Sequence, residues 1–187
     1  MAERIIVGIT GASGGPIAVK VIEALANAKC DMGLIFSENG EKVMEFETGK
    51  TPEDYRREGI TIYDNSDLSA DISSGTTPFE AMVIVPCSSS TLAKINCGIA
   101  DNLITRVAAV AIKEQRKLTL VPRELPLSQI VLRNMKELAE VGAVIIPPMM
   151  EFYTRPETVD DMVSFVAGRI LDSLGIEHDL YRRWQGQ

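Results

Sequence analysis

The sequence predicts an α/β fold: a doubly wound, Rossmann-like parallel sheet with helices on both faces. Two observations carry this expectation. Apolar runs of strand length alternate with segments whose apolar residues recur at helical spacing. The first run, Ile5-Ile6-Val7, also leads directly into the glycine-rich stretch GITGASGGP, Gly8 to Pro16. Size adds a third: 187 residues can bury about 70% of the unfolded chain's surface around one core, so a single domain over residues 1–187 is expected.

Taken in order, Ile5 to Thr10 reads as the first strand and Pro16 to Ala28 as the helix returning from it. Met32 to Phe36 is the second strand and Glu41 to Glu47 the second helix. The stretch from Gly49 to Pro78 is polar, with Gly and Ser near its end, and only Ile60 to Tyr63 resembles a strand. It is expected to be a long excursion from the core rather than a linker. Ala81 to Val85 is the third main strand, followed by helical periodicity from Leu92 to Arg116 that Gly98 should break or offset. Leu118 to Val121, the helix Leu127 to Val141 and Ala143 to Ile146 complete the alternation. The strands are short and mostly rich in Val, Ile and Leu, as buried parallel strands are. A last helix starts at Thr158, where Asp161 three residues on makes a capping box; its apolar stripe takes in Met162, Val166 and Ile170.

Composition excludes several classes. Apolar residues at 45% and charged residues at 24% are ordinary for a globular chain and argue against disorder. No apolar run approaches the ~20 residues needed to cross a bilayer. The first residues do not show the basic, apolar and small-residue succession of an export signal. A net charge of −7 gives no general attraction for nucleic acid or anionic lipid, so a bound anion needs a local cluster of cations. Cys30, Cys87 and Cys97 lack metal-ligand spacing, and a chain of this size does not depend on disulfides. A cytoplasmic location is expected.

In an open parallel sheet, ligands sit beyond the carboxyl ends of the strands, and a Gly-rich turn into a helix aims backbone N–H groups at them. Gly8, Gly11, Ser13 and Gly14 are placed for this. The spacing is not G-x-G-x-x-G, and Ser37 ends the second strand where dinucleotide enzymes keep an acid, with Glu38 one position later; a nicotinamide dinucleotide is the weaker choice. On this motif alone, a ligand loop and a plain strand-helix turn are equally good readings. A second loop, Cys87-Ser88-Ser89-Ser90-Thr91, follows the third main strand. Capping a helix takes one hydroxyl, so four suggest a phosphate. Cys87 reads as a packed residue, since the only histidine, His178, is far along the chain.

Arg106 and Lys113, seven apart, share one helical stripe, with Asp101 expected as the cap of that helix; alone, this is a solvated cationic face. Arg123 and Glu124 follow a buried strand at the edge where ligands bind. Arg169 lies beside the last helix's apolar stripe, either reaching out to water or holding a partly desolvated phosphate.

GITGASG, PCSSSTLAKINCGIADNLITR, AIKEQRKLTLVPRELPLSQIVLRNM, GAVIIPPMMEFYTRPETVDDMVSFVAGRILDSLGI and the final RW together resemble the UbiX-type flavin prenyltransferases, in the same order over nearly the whole chain. The resemblance implies transfer of a dimethylallyl group from dimethylallyl phosphate to reduced FMN, making the prenylated flavin used by UbiD-type decarboxylases. It also implies a homododecamer with active sites at subunit junctions. By position, it implies FMN contacts at Gly11, Ala12, Ser13, Ser37, Ser88, Ser89, Ser90, Thr91 and Arg123. Tyr153 and Arg169 would bind the donor, with Arg106, Lys113 and Glu124 completing the phosphate pocket. Glu47 matches the acidic residue near the flavin and Trp184 the aromatic over the prenyl pocket. The glycines would then clear room for the flavin mononucleotide.

Charge gives the expected chemistry. Phosphate leaving an allylic carbon leaves a delocalised cation, so a site must stabilise the anion and exclude water. Arg106, Lys113 and Arg169 suit the first task. The D-D-x-x-D magnesium pattern of isoprenoid synthases is missing after Asp160-Asp161, which points to metal-free ionisation. Attack by N5 of the reduced flavin and ring closure at C6 would follow. Glu124 would assist phosphate departure or accept a proton, Ser13 and Glu47 would relay protons, and Trp184 would face the allylic cation. Similar proteins carry an acid where this chain has Ala109, which affects a local ion pair only. The rival reading is an FMN-dependent cysteine decarboxylase. Its histidine after the first helix and its P-x-M-N loop are both missing from this sequence. A non-enzymatic flavin carrier would not need Glu47, Lys113, Glu124 and Tyr153 together.

Overall fold

The structure, a computed structural model, describes residues 3–186. Among them, six strands and six α-helices follow in the order β1 Arg4–Ile9, α1 Gly15–Asn27, β2 Asp31–Phe36, α2 Glu38–Thr48, β3 Ile60–Asp64, β4 Ala81–Cys87, α3 Ser89–Asn96, α4 Leu103–Lys113, β5 Lys117–Pro122, α5 Gln129–Glu140, β6 Val144–Ile145 and α6 Val159–Leu174. All neighbouring strands are parallel, in the order β3-β2-β1-β4-β5-β6. The chain winds outward from β1 to β3, then crosses to β4 on the other side of β1 and winds to β6. The order reverses between β1 and β4, so the loops leaving these two strands diverge and open a crevice.

Period-two side-chain alternation builds a core on each face. Ile5, Val7 and Ile9 of β1, with Met32, Leu34 and Phe36 of β2, pack with α1, α6 and Met44 of α2. Ile6, Ile35, Met82 and Ile84 point the other way, into α3, α4 and α5. Truncating a fully buried side chain such as Ile6 or Met82 to Ala should cost about 2–5 kcal/mol.

Two expectations change and one is met. The segment after Gly49 is not wholly an excursion, because Ile60–Asp64 pairs with β2 in register Met32↔Ile60 and forms the sheet edge. Edge placement leaves its residues half-buried or exposed, which blurred the pattern. The expected break at Gly98 is present: the long helical segment is two helices, and Gly98 between them has a φ of 69°, a left-handed conformation that glycine adopts without strain. Asp101 does not cap α4. Asn102 does, accepting from the Thr105 N–H at 3.1 Å, while Asp101 pairs with Lys94 at 2.7 Å. The Thr158–Asp161 capping box is present on α6 as read.

Candidate active site at the sheet switch point

The turn after β1 is compact because protein atoms occupy the space its glycines leave. A Cβ on Gly11 would lie 2.5 Å from the Cβ of Asn39, and one on Gly15 would lie 3.1 Å from Glu47 Oε2 and from Thr48 Cγ2. Gly14 has a φ of 135°, which L side chains rarely adopt. The glycines therefore let α2 close against the turn, a packing role that the sequence does not reveal. The backbone N–H groups at the start of α1 are not free either. Those of Gly14 and Gly15 donate to Glu47 Oε2 at 3.0 and 2.7 Å. Burial pushes the Glu47 carboxyl up, but hydrogen bonds from Gly14, Ser13 and Gly15 and the nearby Arg123 charge outweigh it and hold the group below its ordinary pKa.

Thr10, just past the end of β1, stitches this turn to the one after β4. Its N–H and hydroxyl both donate to the Pro86 carbonyl, at 3.2 and 2.8 Å, and the Ser88 N–H donates to its Oγ1 at 2.7 Å. Ser88 caps α3 by accepting from the Thr91 N–H at 3.2 Å. Ser89 donates its hydroxyl to Glu124 at 2.8 Å, and the Arg123 N–H donates to the Cys87 carbonyl, which fixes the end of β5 beside the loop. Cys87 is fully buried and desolvation pushes its thiol up to about 12, so it packs and does not react.

These turns enclose a hollow of about 370 Å³ lined by Gly11, Ala12, Ser13, Glu47, Ser88, Ser89, Arg123 and Glu124, together with Val43 and Phe46. Arg123 is exposed and makes no ion pair among the described residues. Phe46 is 91% exposed although it is a large aromatic, an apolar surface that the sequence reading missed. The signal was available: an aromatic on the polar side of α2, next to Glu47. Hydroxyls, a cation and an apolar wall in one recess suit a ring system that ends in phosphate.

The remaining candidates do not line this hollow. Ser37 caps α2, accepting from the Gly40 N–H at 3.0 Å, and its own N–H donates to the Ile9 carbonyl beside the β1 turn. Ser90 and Thr91 follow Ser89 on the first turn of α3. Arg106 and Lys113 do share a hollow, with the Ser73–Thr76 loop; Arg106 Nε donates to the Ser73 carbonyl at 2.9 Å and Lys113 pairs with Glu114. Tyr153 and Trp184 meet edge to face at 5.5 Å in a third hollow, and Arg169 pairs with Asp172 at 3.0 Å. The three hollows have no lining residue in common. Asp160 and Asp161 are engaged structurally, by Lys20 and by the α6 cap. A larger hollow of about 820 Å³ lies against β2 and β3, but Glu38, Glu41, Glu53, Asp64 and Asp101 line it, and their charge opposes a phosphate.

Comparison with known proteins agrees with this geometry. The family model described as Flavoprotein matches residues 1–171. Flavin prenyltransferase UbiX of Thermoplasma acidophilum is 50% identical over 181 residues, covering 97% of this chain and 99% of that protein. The crystal structure of AnUbiX (PadA1) in complex with FMN and dimethylallyl pyrophosphate superposes with a TM-score of 0.96 at 38% identity, over 100% of both chains. The structure of a dodecameric FMN-dependent Ubix-like decarboxylase from Escherichia coli O157:H7 gives 0.94 at 44% identity, over 98% of this chain and 100% of that one. A six-stranded parallel sheet with its hollow at the β1–β4 reversal, matched along its length to these proteins, means that the chain belongs to the flavoprotein family and, within it, to the UbiX-type flavin prenyltransferases.

Proposed function

We propose that this chain transfers the dimethylallyl group of dimethylallyl phosphate to N5 and C6 of reduced FMN, using the hollow at the sheet reversal as the flavin site. The observation that carries the assignment of residues is the recess itself: Ser88, Ser89 and Arg123 for a phosphate, Val43 and Phe46 for a ring, and two carboxylates at its edge. Reduced FMN supplies the nucleophile. Gly11, Ala12 and Ser13 line one side of its seat, with Ser37, Ser90 and Thr91 as further hydroxyls around the two turns.

The chain's own groups supply binding and proton handling. Glu47 stays ionised under its hydrogen bonds and orients the Ser13 hydroxyl, so a proton relay there runs through Ser13 toward a carboxylate. Glu124, already accepting from Ser89, is placed to assist phosphate departure or to accept a proton. Arg106, Lys113 and Arg169 would neutralise the leaving phosphate, and Tyr153 and Trp184 would cover the prenyl group with aromatic faces. Because Arg106 and Lys113, Tyr153 and Trp184, and the flavin turns line three separate hollows of one subunit, the complete site needs neighbouring copies. Exposed Leu125, Met149, Met150 and Phe152 offer apolar area for that packing, and the dodecameric relative supplies a precedent for a homododecamer. The product would pass to a UbiD-type decarboxylase. A cytoplasmic location remains part of this reading; among the described residues no helix is long and apolar enough to cross a membrane.

The cysteine decarboxylase alternative finds no support in the site. His178 sits beyond α6 against Asp172, not at the flavin hollow. The test is to incubate the protein with reductant, FMN and dimethylallyl phosphate, in parallel with the diphosphate, and to weigh the flavin. A five-carbon gain is expected, lowered about a hundredfold or more in Arg169→Ala and in Glu124→Ala. Undiminished transfer in those variants overturns their roles, and carbon dioxide released from a cysteinyl peptide would favour the rival.

A further inference from the structure

The segment after α6 has no regular secondary structure, yet one carboxylate gathers it. Asp172, three residues after Arg169 on α6, pairs with Arg169 Nη1 at 3.0 Å, His178 Nε2 at 3.2 Å and Arg183 Nη2 at 2.8 Å, and accepts the Tyr181 hydroxyl. An ionised carboxylate has about four lone-pair sites, and all are used. Its side chain is 19% exposed and that of His178 only 3%. The Leu180 N–H donates to His178 Nδ1 at 3.2 Å, which makes Nδ1 an acceptor and leaves Nε2 to carry the proton donated to Asp172. Burial pushes the Asp172 carboxyl up, but the Tyr181, Arg183 and His178 hydrogen bonds prevail and hold it at about 2. It is therefore charged throughout the neutral range.

Packing completes what the charge begins. A Cβ at Gly168 would fall 2.5 Å from Tyr181 Cδ1 and 2.7 Å from His178 Cε1, so only glycine there lets the tail lie on α6. Tyr181 packs against Phe165 with centroids 4.9 Å apart, Phe165 against Tyr153 at 6.0 Å, and Tyr153 against Trp184 at 5.5 Å. The aromatic chain thus runs from the carboxylate's partner Tyr181 to the two rings assigned above to the prenyl pocket, while Arg169 touches Asp172 directly.

We propose that Asp172 is a positioning residue for prenyl transfer: it clamps the C-terminal tail onto α6 and so sets both the Arg169 guanidinium and the Tyr153–Trp184 pair. The inference rests on the reading that Arg169, Tyr153 and Trp184 form the donor pocket. Asparagine cannot replace the acid, because its NH2 would face donors either way round: Arg169 and Tyr181 in place of Oδ2, or Arg183 and His178 in place of Oδ1.

The experiment compares Asp172→Asn, Tyr181→Phe and Gly168→Ala with the unaltered full-length protein. Steady-state transfer from dimethylallyl phosphate and emission of Trp184, the sole tryptophan, are both measured. Asp172→Asn should raise KM for the donor about ten- to a hundredfold, leave FMN affinity unchanged and make Trp184 more accessible to iodide. Tyr181→Phe keeps the ring contact and should show a smaller shift of the same kind; Gly168→Ala should reproduce the larger one without altering charge. Unchanged KM in all three variants, with or without an emission change, overturns the positioning role. If Asp172→Asn does not fold, the other two variants decide by the same criterion. An Arg169→Ala protein with undiminished transfer would instead remove the donor-pocket reading, so the two failures are distinguishable.

Discussion

The turns that end β1 and β4 lie side by side at the sheet reversal, yet the helices they feed begin in different ways. The first N–H groups of α1 are taken by Glu47, a carboxylate 33 residues away from Gly14, and the helix has no side-chain cap of its own. Helix α3 is capped locally by the neutral Ser88 hydroxyl. A full negative charge satisfies the positive end of the α1 dipole, whereas a hydroxyl leaves that of α3 available to an external anion. With Arg123 at the same side, the β4 turn is the better seat for the phosphate of the flavin site proposed above. The β1 turn then serves as the wall that carries the acid and Ser13.

Substitutions can break or sharpen this contrast. The largest effect is expected for Gly11→Ala, whose Cβ would meet Asn39 at 2.5 Å. Forcing α2 away should cost about 1–3 kcal/mol and weaken flavin retention, read by thermal unfolding and by bound-flavin absorbance. If the turn were shaped for the ligand alone, only retention would move. Next is Glu47→Ala, which removes the acceptor of two N–H groups and should destabilise by about 1–3 kcal/mol, with Glu47→Gln recovering much of it. FMN affinity should survive Glu47→Gln if the phosphate lies at the other turn; a loss at equilibrium dialysis breaks the contrast.

The same carboxylate gives a pH signature. Its folded pKa is depressed, so its contribution is fully present above the ordinary carboxylate range and is lost as pH falls through the folded value. The stability difference between the unaltered protein and Glu47→Gln should be constant near neutrality and shrink below about pH 4. Ser88→Ala should cost about 1 kcal/mol as a lost cap, but unlike Glu47→Gln it should lower FMN affinity. Smallest is Ser90→Ala, an exposed position with an expected stability change within about 0.5 kcal/mol.

How far the chain could be read in advance depended on the range of the contacts involved. The buried strands, the capping box at Thr158 and the break at Gly98 are visible within a few residues, and so was the pair of turns that frames the hollow. Strand β3 was only partly legible, because an edge strand half in water carries a weak pattern. Asp101 and Asn102 are adjacent and both suit a cap; Asp101 went instead to Lys94, seven residues away. Phe46 stands out in the sequence as an aromatic on the polar side of α2, but only the packing of α2 against the two turns puts it on the hollow's wall.

By itself, the sequence determined the alternation of strands and helices, the turn chemistry after β1 and β4, and the family resemblance, because hydrophobic period and local backbone preference are short-range properties. Only the tertiary structure decided what the glycines and acids are for. Gly11 yields to Asn39 and Gly168 to Tyr181, Glu47 closes a helix 32 residues before it, and Asp172 ties down a tail. Each of those roles is set by which distant atom arrives at the site, and that follows from how the helices pack across the sheet.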